Sequence, residues 1–281
     1  MFRIMAIPLA DVNALSGIRY NTNNCWHAEK RPKPADYAAV QEKCNTEHWI
    51  YKFRSLVVTI TLDAADLTWM KAAQRIGRMT RQFSRLHLDE LQETVAKYQF
   101  PDNGQWFVRT EYVSLKNGQY GVGPYTSLDR VISSLVSSNP GHECFTEAND
   151  TLTLYLVPFL RLNGNQEFRV FVYKHNVTAI SVQHLYEENA WIQGMTFNQL
   201  LQMLSSLLQF YKSSVLPKMA DMESYTFDVV LLETTPTEWY FIEFNPFGAD
   251  YSAGSSLFGW QQDHATLTSQ GDVIEFRYPT I

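Results

Sequence analysis

The chain has 281 residues, of which 45% are hydrophobic and 14% aromatic, and its formal net charge is −6 at pH 7. This composition is typical of a folded globular protein and excludes intrinsic disorder. The acidic balance argues against non-specific binding to a polyanion, although 23 lysines and arginines are enough to line a local basic cleft. No stretch approaches the ~20 apolar residues that cross a bilayer, so we expect no membrane association.

Residues 1–100 form the first predicted region of the chain. The β-branched run at 55–62 predicts a strand. Residues 64–98 are predicted to be largely helical, because their apolar residues recur at helical spacing. The turn sequence at 101–104, Pro-Asp-Asn-Gly, marks the boundary to the next region.

The second predicted region, residues 101–155, opens with a strand at 106–110. A loop with three glycines follows at 116–123. A helix is then predicted after Thr126 or Ser127, and Asn139-Pro140-Gly141 ends it.

The third predicted region, residues 156–281, combines strands with one long helix. The first predicted strand, 152–160, begins just before the boundary at residue 155. Further strands are predicted at 167–173, 177–183, 227–233 and 238–245. Thr196 and Gln199 form the capping box of a helix that runs to Val215. The last two strands form an antiparallel hairpin around a turn at 234–237. The fold class is therefore α+β with a mainly antiparallel sheet, because no repeating βαβ pattern is present.

The cysteines indicate the cellular compartment. Cys25, Cys44 and Cys144 are widely spaced and form no CxxC pair. This spacing favours thiols in a reducing compartment over disulfides or a zinc site. The apolar N-terminus has no cleavage site of a secretory leader. We therefore expect a cytoplasmic protein.

The closing hairpin carries three candidate metal ligands. Asp228 interrupts its first strand, and Glu243 and Asn245 lie two positions apart on its second strand, so both point to one face. An unpaired charge on an apolar strand is costly, and oxygen ligands suit a hard cation such as Mg²⁺. The hairpin therefore predicts a Mg²⁺ site, with solvated or paired carboxylates as the alternative.

Three cations are candidates for binding phosphate. Arg109 lies on a strand, Lys116 lies in the glycine loop, and Arg169 alternates with apolar residues on its strand. The planar fork of Arg169 matches phosphate oxygens. Glu167 shares a strand face with Arg169 and either lines the site or pairs with it. A phosphate clamp is the favoured role of Lys116, and Lys116 is the candidate nucleophile if the enzyme uses one.

The apolar segment at 156–160 fits the slot that an adenine ring needs, with Val157 and Phe159 as candidate contacts. Ordinary core is the alternative interpretation of this segment. Gln183 follows the next strand and is expected to face the bound ligand.

The order of these features resembles the ATP-grasp superfamily, in which two lobes with mainly antiparallel sheets hold Mg²⁺-ATP between them. The string Glu243-Phe244-Asn245-Pro246-Phe247-Gly248, followed by Leu257-Phe258-Gly259-Trp260, is similar to the cell division cycle protein 123 family. The pattern at 107–123 looks closer to a viral and bacteriophage branch of ATP-grasp proteins proposed as RNA ligases. The resemblance implies that Arg109 and Lys116 hold ATP phosphates and that Glu167 and Arg169 line the site. It also implies Mg²⁺ ligation by Asp228, Glu243 and Asn245.

The resemblance implies three functions. The first is a Mg²⁺- and ATP-dependent ligase of the RNA ligase type, in which Lys116 and Arg169 are the catalytic candidates. The alternative is an ATP-binding chaperone that assembles a translation initiation factor, as in the cell division cycle protein 123 family. A further alternative is a ligase that joins a carboxylate to an amine. The expected partners are therefore ATP and either RNA ends or a translation-factor protein.

Overall fold

The computed structural model describes residues 1–14, 20, 33–139, 142, 144–233, 238–251 and 253–281. Its strands are β1 (Phe2–Pro8), β2 (Val58–Leu62), β3 (Trp106–Arg109), β4 (Leu152–Pro158), β5 (Glu167–Tyr173), β6 (Asn176–Val182), β7 (Tyr225–Leu231), β8 (Trp239–Pro246) and β9 (Ile274–Thr280). Its α-helices are α1 (Leu9–Val12), α2 (Tyr37–Lys43), α3 (Thr46–Phe53), α4 (Ala64–Thr80), α5 (Leu88–Lys97), α6 (Leu128–Val136), α7 (Ala190–Gln193), α8 (Phe197–Phe210) and α9 (His264–Leu267).

The chain folds into two compact units. Unit 1 combines residues 1–44 with residues 162–281, and unit 2 comprises residues 45–161. These limits differ from the boundaries expected at residues 100 and 155, and the three-part division stays a prediction. Within the described ranges, no helix is both long and apolar enough to cross a bilayer.

Three sequence predictions fall on undescribed positions. The turn at 234–237, the helix end at 140–141 and the thiol of Cys25 all lie outside the described residues. Cys44 and Cys144 are both buried, and neither forms a disulfide.

Unit 1 is built on a six-stranded sheet in the order β1-β9-β6-β5-β7-β8. Strand β9 is parallel to both of its neighbours, β1 and β6. The remaining pairs in the sheet are antiparallel. Unit 2 holds an antiparallel three-stranded sheet in the order β2-β4-β3. The predicted α+β class with mainly antiparallel sheets is confirmed, and the assignment to the ATP-grasp fold stays a prediction.

Local sequence explains why the long helix and the closing hairpin form where they do. Thr196 Oγ1 accepts from the Gln199 backbone N–H, and the Gln199 side chain accepts from the Thr196 backbone N–H, which completes the predicted capping box of α8. A π-helical turn, Tyr211–Val215, continues this helix. Strands β7 and β8 pair antiparallel, as the alternation of their residues predicted.

Both faces of the unit 1 sheet are covered, and this places the functional residues. On one face, Phe168 of β5 contacts the rings of Trp191, Trp239 and Phe276. On the other face, Phe171 packs edge-on against Phe258 and Trp260. The segment that follows β8 therefore covers the face on which odd-numbered residues of β5 lie.

Candidate functional site

Polar side chains form a continuous row across the unit 1 sheet. Cross-strand register places Arg277 opposite Ser181, Ser181 opposite Arg169, Arg169 opposite Asp228, and Asp228 opposite Glu243. Directly opposed residues lie on one face of a sheet. We call these five residues the polar row.

The centre of the polar row is a buried, two-pronged ion pair. Arg169 Nε donates to Asp228 Oδ1 at 2.8 Å, and Nη2 donates to Oδ2 at 2.7 Å. The side chains are 9% and 2% exposed, so water screens the pair poorly. Burial alone lowers the pKa of a guanidinium, but the charges of Asp228, Glu243 and Glu167 together outweigh it, and the pKa of Arg169 is raised. Arg169 is therefore a fixed cation whose fork is largely occupied by Asp228.

The outer end of the row holds the other two predicted metal ligands. Glu243 is half-buried, and its charge also acts on Arg169. Asn245 lies two residues further along β8, opposite Thr226. The Asn245 Nδ2 and Thr226 Oγ1 atoms are buried, and neither has a hydrogen-bond partner within the described part of the chain. Buried polar atoms without partners are uncommon in proteins, and a bound water, ion or ligand is one way in which their hydrogen bonding is completed.

The structure thus brings Asp228, Glu243 and Asn245 together on one sheet face, and their role as ligands stays a prediction. Two carboxylates and one carboxamide are oxygen donors of the kind that Mg²⁺ takes, usually alongside phosphate and water. Across the residues that the structure describes, no group of three or more His, Cys, Asp or Glu side chains forms a metal site.

Sequence analysis missed the buried charges at the other end of the row. Arg277 donates to both carboxylate oxygens of Asp263, at 2.8 and 2.7 Å, and to Glu275 Oε1 at 2.7 Å. It also donates to the Leu257 carbonyl at 2.9 Å. The signal was available, because Glu275-Phe276-Arg277 repeats the E-F-R pattern of residues 167–169.

These charges hold the segment that covers the polar row. Asp263 Oδ2 accepts from the Gly259 backbone N–H at 2.8 Å, and the ring of Phe258 lies 4.0 Å from the Arg277 guanidinium carbon. Arg169 Nη1 donates to the Gly254 carbonyl at 2.7 Å. The segment from residue 253 to 263 is therefore bonded at both ends to arginines of the polar row.

Gln183 also contacts this covering segment. Its Oε1 accepts from Ser256 Oγ at 2.7 Å. Glu167 is half-buried, and its charge raises the pKa of Arg169 together with that of Asp228. Both residues thus lie in unit 1 near the row, and their predicted contacts with a ligand stay predictions.

A second covering element is α2, which ends beside Glu243. Gln41 Nε2 donates to the Tyr251 carbonyl at 2.6 Å, and the ring of Tyr37 stacks on that of Tyr251 at 6.2 Å. Burial, with the charge of Glu243 as a smaller cause, raises the pKa of the Cys44 thiol to about 12. The thiol is therefore neutral at physiological pH.

Four predicted ligand residues lie in unit 2 and take part in its internal packing to different degrees. Arg109 is buried, its Nε donates to Thr46 Oγ1 at 2.8 Å, and its guanidinium lies 4.7 Å from the Trp49 ring. Val157 is buried on β4, and Phe159 is half-buried just beyond that strand. Lys116, by contrast, is exposed. Their roles toward ATP stay predictions.

Packing explains why the first residue of the three glycines in the unit 2 loop, Gly118, is a glycine. A Cβ on Gly118 would lie 2.3 Å from the Ser134 carbonyl oxygen, a distance that no side chain tolerates. Gly121 has a φ of 62°, which favours glycine because it has no Cβ. Close approach to α6 and turn geometry therefore account for both glycines without a phosphate.

Comparison with known protein families gives one match that spans more than half of the chain. The family model described as D123 matches residues 127–280, which include the whole polar row. No curated protein matches this chain significantly.

Comparison with solved structures gives a similar fold. The structure of Cdc123 from Schizosaccharomyces pombe matches with a TM-score of 0.56 and 14% identity, over 86% of this chain and 98% of that one. A C-terminally truncated Cdc123 from the same organism matches with a TM-score of 0.55 and 13% identity, over 90% of this chain and 100% of that one. At 14% and 13% identity, these two matches show a similar fold and nothing further.

Proposed function

Because this chain belongs to the D123 family, we propose that it is an ATP-binding assembly protein for a translation initiation factor. This is the chaperone function considered from the sequence, and the family match favours it over the RNA ligase interpretation. The observation that carries the proposal is that the matched residues, 127–280, contain the whole polar row.

In this proposal the polar row binds the phosphates of ATP together with Mg²⁺. Glu243 and Asn245 supply oxygen ligands to the cation, and Asp228 supplies a third. Arg169 supplies positive charge beside the phosphates. The unpartnered Asn245 Nδ2 atom supports a bound ligand, because it would otherwise remain a buried donor without an acceptor.

Binding without turnover is favoured by how the charged groups are arranged. Two hydrogen bonds between Arg169 and Asp228 hold both side chains in one geometry. Lys116, the candidate nucleophile, is exposed, whereas nucleophilic lysines are activated by burial or by neighbouring charge. A site of this kind suits a nucleotide held as a structural ligand.

The decisive experiment follows radiolabelled ATP. Wild-type protein with Mg²⁺ should retain ATP stoichiometrically and release neither ADP nor AMP over hours. Glu243→Gln should lose the retained nucleotide, while the exposed Glu223→Gln control should keep it. AMP release with joining of 5′-phosphorylated RNA would instead establish a ligase, and ADP release on adding amino acids or peptides would establish the carboxylate–amine reaction.

The partner is tested separately with purified translation initiation factor subunits. We expect a complex on size-exclusion chromatography that forms with ATP and Mg²⁺ and weakens in Glu243→Gln. No complex under either condition would remove the assembly role even if ATP is bound.

A further inference from the structure

The two arginines of the polar row lie in the same sequence pattern. Glu167-Phe168-Arg169 belongs to β5 and Glu275-Phe276-Arg277 to β9. In the cross-strand register, Ser181 of β6 lies between the two arginines. Each arginine binds an aspartate through two nitrogens, Asp228 in the first case and Asp263 in the second. The two arginines nevertheless differ in how many of their donors the protein uses.

Arg277 has an acceptor within the protein for every N–H group that it carries. A guanidinium has five N–H donors. Nε donates to Glu275 Oε1, Nη1 donates to Asp263 Oδ2 and to the Leu257 carbonyl, and Nη2 donates to Asp263 Oδ1. The second donor of Nη2 is taken by Glu275 Oε1, because these two atoms are 2.6 Å apart. With all five donors in use, Arg277 binds no ligand and acts only through the residues that it holds.

Arg169 makes fewer hydrogen bonds to the described part of the chain. Nε and Nη2 donate to Asp228, and Nη1 donates to the Gly254 carbonyl at 2.7 Å. These bonds use three of the five donors and leave one on each Nη nitrogen for a ligand. Because the Gly254 carbonyl takes one Nη1 donor, its position helps to determine which edge of the guanidinium stays open.

The Gly254 carbonyl belongs to a buried segment that is bound to Arg277 at its other end. Residues 255–257 are fully buried. The Leu257 backbone N–H donates to Ser181 Oγ at 3.1 Å, and the Leu257 carbonyl accepts from Arg277 Nη1 at 2.9 Å. Both main-chain groups of Leu257 are therefore held by side chains of the polar row.

The residue before Leu257 shows that the segment is held in one conformation. Ser256 has a φ of 47°, which a residue other than glycine keeps only where its surroundings hold it. Its Oγ donates to Gln183 Oε1 at 2.7 Å. A displacement at Leu257 is therefore passed along the segment to Gly254.

We propose that Arg277 is a positioning residue of the phosphate site. By holding Leu257, Arg277 fixes the segment from residue 254 to 257. The Gly254 carbonyl then binds Arg169 Nη1, and the two remaining donors of Arg169 face the phosphates. This inference rests on the proposed function, because the ligand is the one assigned there to the polar row.

Calorimetry of ATP binding to the full chain with Mg²⁺ tests the coupling. Arg277→Lys keeps the charge but loses the planar fork, so we expect its Kd for ATP to rise about tenfold. In an Arg169→Lys background the same change should raise Kd by less than about twofold, because residues that act through one another are not additive. Arg3→Lys is the matched control. Arg3 also pairs with Glu275 but is 60% exposed, and its replacement should leave Kd unchanged.

The outcomes that overturn the proposal are specific. Equal effects of Arg277→Lys in both backgrounds, or no effect in either, would leave Arg277 a purely structural role. An equal loss in Arg3→Lys would assign the effect to the charge of Glu275. If Arg277→Lys does not fold, Ser181→Ala takes its place, because it removes only the acceptor of the Leu257 N–H. It should weaken ATP binding about threefold, and an unchanged Kd would overturn the proposal.

A measurement without nucleotide separates this inference from the proposed function. NMR of the ligand-free protein follows the Arg169 Nε–Hε signal, which is identified by its loss in Arg169→Lys. Arg277→Lys should speed exchange of this Hε with water at least about fivefold, because a loosened segment admits water to the ion pair, and Arg3→Lys should not. Wild-type protein that binds no ATP would refute the proposed function, and faster Hε exchange in Arg277→Lys would still support the positioning role. An unchanged exchange rate would refute the positioning role whether or not ATP binds.

Discussion

Replacing Asp228 with asparagine separates two roles of this residue, as part of the sheet and as a ligand. Asparagine has nearly the same volume, so the change creates no cavity. It removes the negative charge and turns an NH₂ group, rather than an oxygen, toward one prong of the Arg169 fork. The result is a buried guanidinium that keeps the Gly254 carbonyl as acceptor but has lost its counter-ion.

The structure sets the size of the effect. Of the two charge-assisted hydrogen bonds, of 2.7 and 2.8 Å, one is lost and the other keeps only a neutral amide acceptor, between side chains that are 9% and 2% exposed. Breaking a buried pair by removing one partner costs about 3–5 kcal/mol. The Gly254 carbonyl and the charge of Glu243 remain beside Arg169, so we expect the lower end, about 3 kcal/mol. This is a large share of the ~5–15 kcal/mol by which proteins are stable.

Urea unfolding followed by tryptophan fluorescence measures this loss. With an m-value of ~3 kcal/mol/M, the midpoint of Asp228→Asn should fall by ~1 M at unchanged m. Asp250→Asn, an exposed change in the same unit, should stay within about 0.5 kcal/mol of wild type. Glu243→Gln should shift the midpoint little and lose ATP instead. A midpoint for Asp228→Asn equal to that of wild type would refute the view that this ion pair stabilises the sheet.

Three further outcomes are expected. Gly118→Ala should destabilise unit 2 by about 1–3 kcal/mol in urea unfolding. Gly164→Ala should be nearly neutral, because a Cβ at that position meets nothing within 4 Å. Equal effects of the two changes would contradict the packing argument. Burial raises the pKa of Cys44 to about 12, so its thiolate forms only at high pH. Iodoacetamide at pH 8.5 should therefore modify Cys44 at least about tenfold more slowly in native than in urea-unfolded protein. Asp263→Asn should speed hydrogen exchange of the Gly259 amide by about tenfold or more, as read by NMR, and an unchanged rate would remove the anchoring role of Asp263.

Local patterns predicted those parts of the fold that local chemistry determines. Alternation gave strand β5 with its observed limits, and the Thr196–Gln199 capping box gave the start of α8. Strands β1 and β9 were missed, because each is defined by pairing with the other across the length of the chain. No window of sequence carries that information.

The site was predictable in its residues but not in their pairings. Spacing on a strand placed Glu243 and Asn245 on one face, and the predicted hairpin brought Asp228 to them. The structure pairs Asp228 directly with Glu243 across the two strands. Sequence could not show that both Asp228 oxygens bind Arg169, because β5 and β7 are far apart in the chain. Glu167 was weighed as the partner of Arg169, whereas Asp228 supplies the two hydrogen bonds.

The interleaving of the two units has a consequence for how the chain folds as it is synthesised. Unit 2 is one continuous stretch, 45–161, and can complete its contacts while later residues are still being translated. Within the described part of the chain β1 pairs with β9 alone, so it must wait for more than 250 residues before its hydrogen bonds form. During that delay its unpaired edge is open to aggregation, and final assembly of the larger sheet becomes the slow, non-local step. Mutations in β9 are therefore expected to reduce soluble yield more than mutations of equal burial in unit 2.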